Sequence, residues 1–439
     1  TQGSFNRFIT AMQISSYKQL KDYTVQQLGC NIPASDCNHR NYINQTISRD
    51  HYDYVDIHKY WDHPKFVIQW QYPMIFKNQS VIKNFCELPC ALMPARIYGK
   101  PFTVTEFNYV SPNRFRSEGN AIMGALSALQ DWDALYRFAY THNIKAITQV
   151  IPMGRFDVAS DPIHMLGERI MALMFRRGDV KKATTSVPFL ITPDIADKVS
   201  IRESLPDAVN KLGLVYSLGS AVNGKATPSN SAFYLTKEKS FGTEYKGKKV
   251  FEVNDKLITS LLKSGVLSRK NFDPSTGKTM SVTGEISSNT KQGTFSVITS
   301  RSECQVVPKG KSAKGKFMSV TANSCFATFF VAAIDKYELK QSKRLLLLHL
   351  TNISNNKAKY LDSALTILEK PGELPHLVRR GTAEVSLDLN NIETPRLWAL
   401  DITGKRIAEV KTYRKNNKLS FKVDTTKYKG GCMAYELSF

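Results

Sequence analysis

Glu106 closes a β-branched run, Thr103-Val-Thr-Glu-Phe-Asn-Tyr109, that follows the turn-forming Gly99-Lys100-Pro101 and precedes the loop residues Ser111-Pro112-Asn113. Val and Thr favour an extended chain, so the run predicts a strand with a carboxylate near its carboxyl end. α/β barrels keep their catalytic groups at that end of a strand, and an ionised carboxylate held there can act as a nucleophile. Period 2 predicts Val104, Glu106 and Asn108 on one face and Thr103, Thr105 and Phe107 on the other. The alternative is a structural ion pair between Glu106 and Arg114 or Arg116. A second run, Tyr54-Val-Asp-Ile-His-Lys-Tyr-Trp-Asp-His63, alternates so that Asp56, His58 and Tyr60 point one way and Val55 and Ile57 the other. A tyrosine hydroxyl can hydrogen-bond a nucleophilic carboxylate, and an imidazole can bind a hydroxyl or orient an acid, provided both are rigidly placed.

Such groups need strands to carry them and helices to fix the strands. In the first 180 residues extended runs at Leu28 to Pro33, Tyr54 to Trp61, Pro101 to Asn108 and Ala134 to Tyr140 alternate with helical patterns. The helix predicted over Ser117 to Gln130 has Ile122, Ala125, Leu126 and Leu129 at 3.6 spacing; that over His164 to Arg177 ends on two arginines and Gly178. Strands alternating with helices imply a parallel sheet or barrel. After Lys181-Lys182 the pattern changes to short strands between turns, from Val187 to Ile191 and Lys249 to Val253 through Met433 to Leu437, which predicts an antiparallel sandwich. Within that region Asp255 to Leu267 reads as helical, and Gly219 to Asn230 reads as a loop by composition.

The pairing of His58-Lys-Tyr60 with Thr105-Glu-Phe-Asn108 resembles strands six and seven of the retaining glycoside hydrolases of clan A, cellulase-like enzymes on a (β/α)8 barrel. The wider context Tyr60-Trp-Asp-His-Pro64, Ser111-Pro-Asn-Arg114 and Asp131-Trp-Asp133 is similar to multidomain members with a C-terminal β-sandwich. Thr283-Gly-Glu-Ile286, Lys343-Arg-Leu-Leu346 and Leu400-Asp-Ile-Thr-Gly404 match its strands and turns. The resemblance implies Glu106 as nucleophile with Tyr60 and His58 beside it. It suggests Asn108, Trp61, His63, Trp132 and Tyr140 as sugar contacts, and it calls for no cofactor and no metal. One departure matters: the clan takes its acid/base from an Asn-Glu pair on strand four, and no Asn-Glu dipeptide occurs in this chain. The four predicted strands then correspond to strands five to eight. The expected architecture is the C-terminal half of a (β/α)8 TIM barrel over residues 1–180, followed by a β-sandwich over 181–439. A half barrel exposes strand edges and an apolar interior, so an N-terminal barrel half, as a separate chain or an omitted segment, is expected to pack against it. Two copies of this chain closing one barrel is the lesser alternative.

Composition narrows the remaining classes. Net charge is +22, with 19 Lys/Arg against 15 Asp/Glu in residues 1–180 and 41 against 23 in 181–439. That basic second region could attract an anionic glycan, nucleic acid or a membrane surface, or be merely solvated. Nucleic acid is disfavoured, since no zinc finger, RNP-like motif or basic helix is visible. No apolar run approaches the ~20 residues of a membrane span. Seven cysteines are too few for a disulfide scaffold, although Cys86 with Cys90, and Cys30 with Cys37, could form local bridges. Sequons stand at Asn44, Asn78 and Asn352. The reading is a retaining glycosidase acting on a polysaccharide or oligosaccharide, of secreted, periplasmic or cell-surface location. The alternative is a non-catalytic carbohydrate-binding protein with a degenerate barrel.

Overall fold

The computed structural model describes residues 1–36, 38–389, 395–415 and 418–439 of the chain. Its first part holds a three-stranded parallel sheet in the order β1 (Val55–Trp61), β2 (Phe102–Tyr109), β3 (Ala134–Arg137). Val55, Ile57, Val104, Phe107 and Tyr109 face a helical layer and are wholly buried there. That layer contains α2 (Gly119–Leu129) and α3 (Pro162–Met171). Gly119 lets α2 lie against the Tyr109 ring, which a Cβ would meet at 2.3 Å. Asp161 caps α3, accepting a hydrogen bond from the Ile163 amide at 3.0 Å, with Pro162 in the first turn where its missing N–H costs nothing.

Among the described residues no closed barrel forms. Leu28 to Pro33, expected as a strand, is irregular, and only the next segment meets the sheet, where Asn38 O accepts from the β1 amide of His58 at 3.1 Å. The first element is instead a helix, α1 (Gln2–Gln26), capped by the Thr1 hydroxyl. Its Phe5, Phe8, Met12, Leu20 and Tyr23 all point to solvent along one stripe.

A second correction concerns Val187 to Ile191 and Lys249 to Val253, expected as antiparallel sandwich strands. β4 (Ser186–Ile191) pairs in parallel with β5 (Ser217–Val222) and β6 (Tyr234–Thr236), and β6 pairs in parallel with β7 (Lys248–Glu252). β5 takes in the first four residues of the segment expected as a loop, Gly219 to Val222, while the remainder is turn as expected. Its Gly, Ser and Ala are small because the chain at Arg96 to Tyr98 packs against it: a Cβ at Gly219 would lie 3.1 Å from the Tyr98 ring.

From Phe272 onward the chain is antiparallel. A ten-stranded sheet running in space from Phe272–Asp273 to Arg406–Glu409 faces a five-stranded sheet, and the two form a sandwich. Ala327–Ala333 shows how they share residues: Phe329 and Val331 enter the sandwich core, whereas Phe330 and Ala332 enter the core shared with the parallel sheets. The basic segment Pro308 to Lys316 lies on this sandwich, Ala313–Lys314 pairing with Ser319 and Val320.

Cys86 and Cys90 are buried free thiols, which settles the open choice between thiols and a local bridge for that pair; Cys37 lies outside the described residues. Two of the three sequon asparagines are buried. Asn44 is 3% and Asn78 5% exposed, and Asn352 accepts a hydrogen bond from Arg116. Asn44 and Asn78 therefore do not present their amides for glycosylation in the folded chain. Among the described residues no helix is long and apolar enough to cross a membrane.

Candidate functional site

Glu106 sits opposite His58 in the parallel register of β1 and β2, and Tyr60 opposite Asn108. The register shifts between Ile57 and His58, and again on the β3 side between Val104 and Phe107. This irregularity overturns the simple alternation: Val104 and Phe107, three apart, both enter the core, and Glu106 turns away from it together with Thr103 and Thr105. A bulge re-aims one side chain in this way and is common beside active sites. On β1 the alternation holds, with Asp56, His58 and Tyr60 on the face away from Val55 and Ile57.

The Tyr60 hydroxyl donates to Glu106 Oε2. Burial, then the hydrogen bond to Glu106, raises the Tyr60 pKa, so the phenol keeps its proton and remains the donor. His58 Nδ1 lies 3.8 Å from the same oxygen, too far for a hydrogen bond; it is buried and has no hydrogen-bond partner among the described residues. Its Nε2 meets His39 Nδ1 at 3.1 Å. Burial lowers the His58 pKa and outweighs the opposing pull of Glu106, leaving a neutral imidazole at pH 7. Below this layer Asp56 accepts from Thr105 Oγ1 at 2.9 Å and from Asn38 at 3.1 Å. Glu106 is 35% exposed and, among the described residues, pairs with no arginine. Arg116, the alternative partner, is taken by Asp161 at 2.6 Å.

The wall above Glu106 is aromatic. Tyr60 meets the rings of His63 at 5.4 Å, Phe138 at 6.1 Å and Phe156 at 5.3 Å, edge to face. Asn108 assembles that wall instead of lining it: fully buried, it donates to the carbonyls of Phe138 (2.6 Å) and Phe156 (2.7 Å) and accepts from Arg137 (2.9 Å). Its amide has no donor left for a sugar. Trp61 and Trp132 are also corrected. Trp61 is 1% exposed and donates its indole N–H to Gln79 O; Trp132 packs on Phe102 at the opposite, amino end of the strands. His63 and Tyr140 are exposed on loops beyond β1 and β3.

His39, Phe138, His142, Arg155 and Phe156 were not singled out by sequence reasoning. His142 Nδ1 is held by Asp157 at 2.6 Å, and its ring lies 5.1 Å from Phe138. One signal was available: four of the eight histidines, His39, His58, His63 and His142, gather around this site. An open cleft of about 820 Å³, lined by Trp132, Lys181 and Thr283 among others, lies at the other end of the strands. Among the described residues no group of three or more His, Cys, Asp or Glu is arranged to hold a metal.

No protein-family model matches the chain, and no curated protein matches it. Among solved structures, a rhamnosidase from Novosphingobium sp. PP1Y is similar at 10% sequence identity with a TM-score of 0.31. The similarity covers 99% of this chain and 39% of that one, so the chain spans about two fifths of that structure's length.

Proposed function

We propose that the chain is the nucleophile-bearing part of a retaining glycoside hydrolase, with residues 1–180 as the catalytic part and 181–439 as an accessory region. One observation carries this reading: a partly exposed carboxylate, re-aimed by a strand irregularity at the carboxyl end of a parallel sheet, is held by a tyrosine hydroxyl and free of any arginine. In retention Glu106 attacks the anomeric carbon while a second carboxyl group, ~5–5.5 Å away, protonates the departing oxygen; water then releases the glycosyl ester. Tyr60 steadies the Glu106 carboxylate through its hydroxyl, and His58 packs beside the same oxygen as a positioning neighbour. His63 and Tyr140 remain the candidate sugar contacts.

The second carboxyl group is assigned to a complementary barrel half. The open edges of the three-stranded sheet and the solvent-facing apolar stripe of α1 support such a partner. The lack of an Asn-Glu pair also favours a second reading, a carbohydrate-binding protein that does not cut. A saccharide substrate of this kind fits action outside the cytoplasm. Neutral and anionic oligosaccharides incubated with the complete protein decide between the readings. Glu106→Gln is expected to abolish cleavage with an unchanged circular dichroism spectrum, and retained turnover would sink the assignment.

A further inference from the structure

Arg155 stands one residue from Phe156, which packs on Tyr60, yet it serves a different surface. Its guanidinium carbon lies 5.2 Å from the ring centroid of Phe66, 5.7 Å from Trp70 and 5.6 Å from Tyr72. Ring faces hold a cation without using its N–H donors. Among the described residues the Arg155 side chain makes no ion pair and donates no hydrogen bond, and its nitrogens are not sealed from solvent. Nearby carboxylates are committed elsewhere, Asp157 to His142 and Asp161 to Arg116. A planar fork of donors is thus fixed in place with no protein acceptor, which suits a carboxylate or sulfate.

The support is rigid. Ser111 N–H donates to Arg155 O at 3.0 Å, and the Phe156 carbonyl accepts from Asn108 and from the Ala139 amide. Phe66 belongs to a four-stranded sheet of Lys65–Phe66, Met74–Ile75, Ile367–Lys370 and Lys359–Tyr360, which ties the cage to the chain's second region. Trp70 is 49% exposed, so the cage opens outward. The cage also touches the Glu106 site: the Trp70 ring lies 5.8 Å from His63, and His63 lies 5.4 Å from Tyr60. A saccharide over Glu106 could therefore place a neighbouring unit against Arg155.

We propose that Arg155 in its Phe66, Trp70 and Tyr72 cage is an anion-recognising subsite, which selects acidic saccharides bearing a carboxylate or a sulfate. The saccharide part of this inference rests on the glycoside reading; the anion part rests on the cage. The test titrates the full chain by calorimetry with a galacturonate hexamer, a sulfated heparin hexasaccharide and maltohexaose, at low and at physiological salt. Binding of one or both anionic probes, with maltohexaose much weaker, is expected, and the preferred probe identifies the anion. Arg155→Gln is expected to weaken that binding about tenfold or more, and Arg155→Lys less, because it keeps the charge but not the fork. Replacing Lys309, Lys311, Lys314 and Lys316 with alanine is expected to change little, which separates the subsite from general attraction to the basic sandwich. Equal binding by Arg155→Gln, loss of binding in the lysine variant, equal affinity for maltohexaose, or no binding of any probe overturns the proposal. Arg155-dependent binding without cleavage by the complete protein leaves it standing and removes the catalytic reading.

Discussion

Tyr60 offers a clean probe of the site because its hydroxyl and its ring do separate things. The ring is wedged among His63, Phe138 and Phe156, and the hydroxyl alone reaches Glu106. Tyr60→Phe keeps the packing and removes one hydrogen bond to a charged group, worth about 1.5–3 kcal/mol. If Glu106 is the nucleophile, kcat of the completed enzyme is expected to fall about 10- to 100-fold, with an unchanged circular dichroism spectrum. A loss confined to KM would make Tyr60 a binding residue only. At this scale the sequence was informative where the strands are regular. His58 and Tyr60 were placed by alternation, and their facing of Glu106 rested on a resemblance that the register of β1 and β2 fits. Asn108, Trp61 and Trp132 were misread for one reason: residue type announces hydrogen-bonding capacity or ring area, whereas burial decides whether either is free for a ligand.

Among elements, β2 shows the limit of periodicity. Its composition marks a strand, but the extra residue near Glu106 has no sequence signature, so the expected faces failed from Glu106 onward. The turn into α2 holds a further group hidden from a sequence reading. Glu118 is wholly buried and accepts from Ser80 Oγ at 2.7 Å and the Val81 amide at 2.6 Å. Burial pushes its carboxyl up from 4.5 to about 8 despite those two bonds. The folded chain then holds a proton that the unfolded chain has released between those pH values, so this group's contribution to stability falls as pH rises from 4.5 and levels off above 8. Glu118→Gln keeps the shape, lets its carbonyl accept from Val81, and cannot ionise. Its melting temperature is expected to match the wild type at pH 4.5 and to exceed it increasingly up to pH 8, a gain of at most about 4–5 kcal/mol. A difference independent of pH would rule this out.

For the whole molecule, Arg116 is the test of how the regions are joined. The antiparallel sandwich was readable from its regular strands and turns. The second parallel sheet was not, since β6 has only three residues and β5 is built of residues that elsewhere mark loops. The junction was unreadable too, because it joins residues more than 200 positions apart. Arg116, 1% exposed, pairs with Asp161 at 2.6 and 3.2 Å and donates to Asn352 Oδ1 at 2.5 Å and Ile353 O at 2.9 Å, linking the cap of α3 to the start of a two-stranded sheet, Ile353–Asn356 with Glu373–Val378, in the second region. One continuous apolar core runs from Ile43 to Ala434 beneath this link. Arg116→Ala leaves the Asp161 carboxylate buried without its cation, a loss of about 3–5 kcal/mol, and should lower the urea midpoint accordingly. Adding Asp161→Leu to Arg116→Met removes the stranded charge and is expected to restore much of that stability. Because the core is shared, the loss should appear as a shift of one cooperative transition. A second transition at lower urea, with the sandwich still folded, would show instead that the hydrogen-bonded link, not the shared core, joins the two.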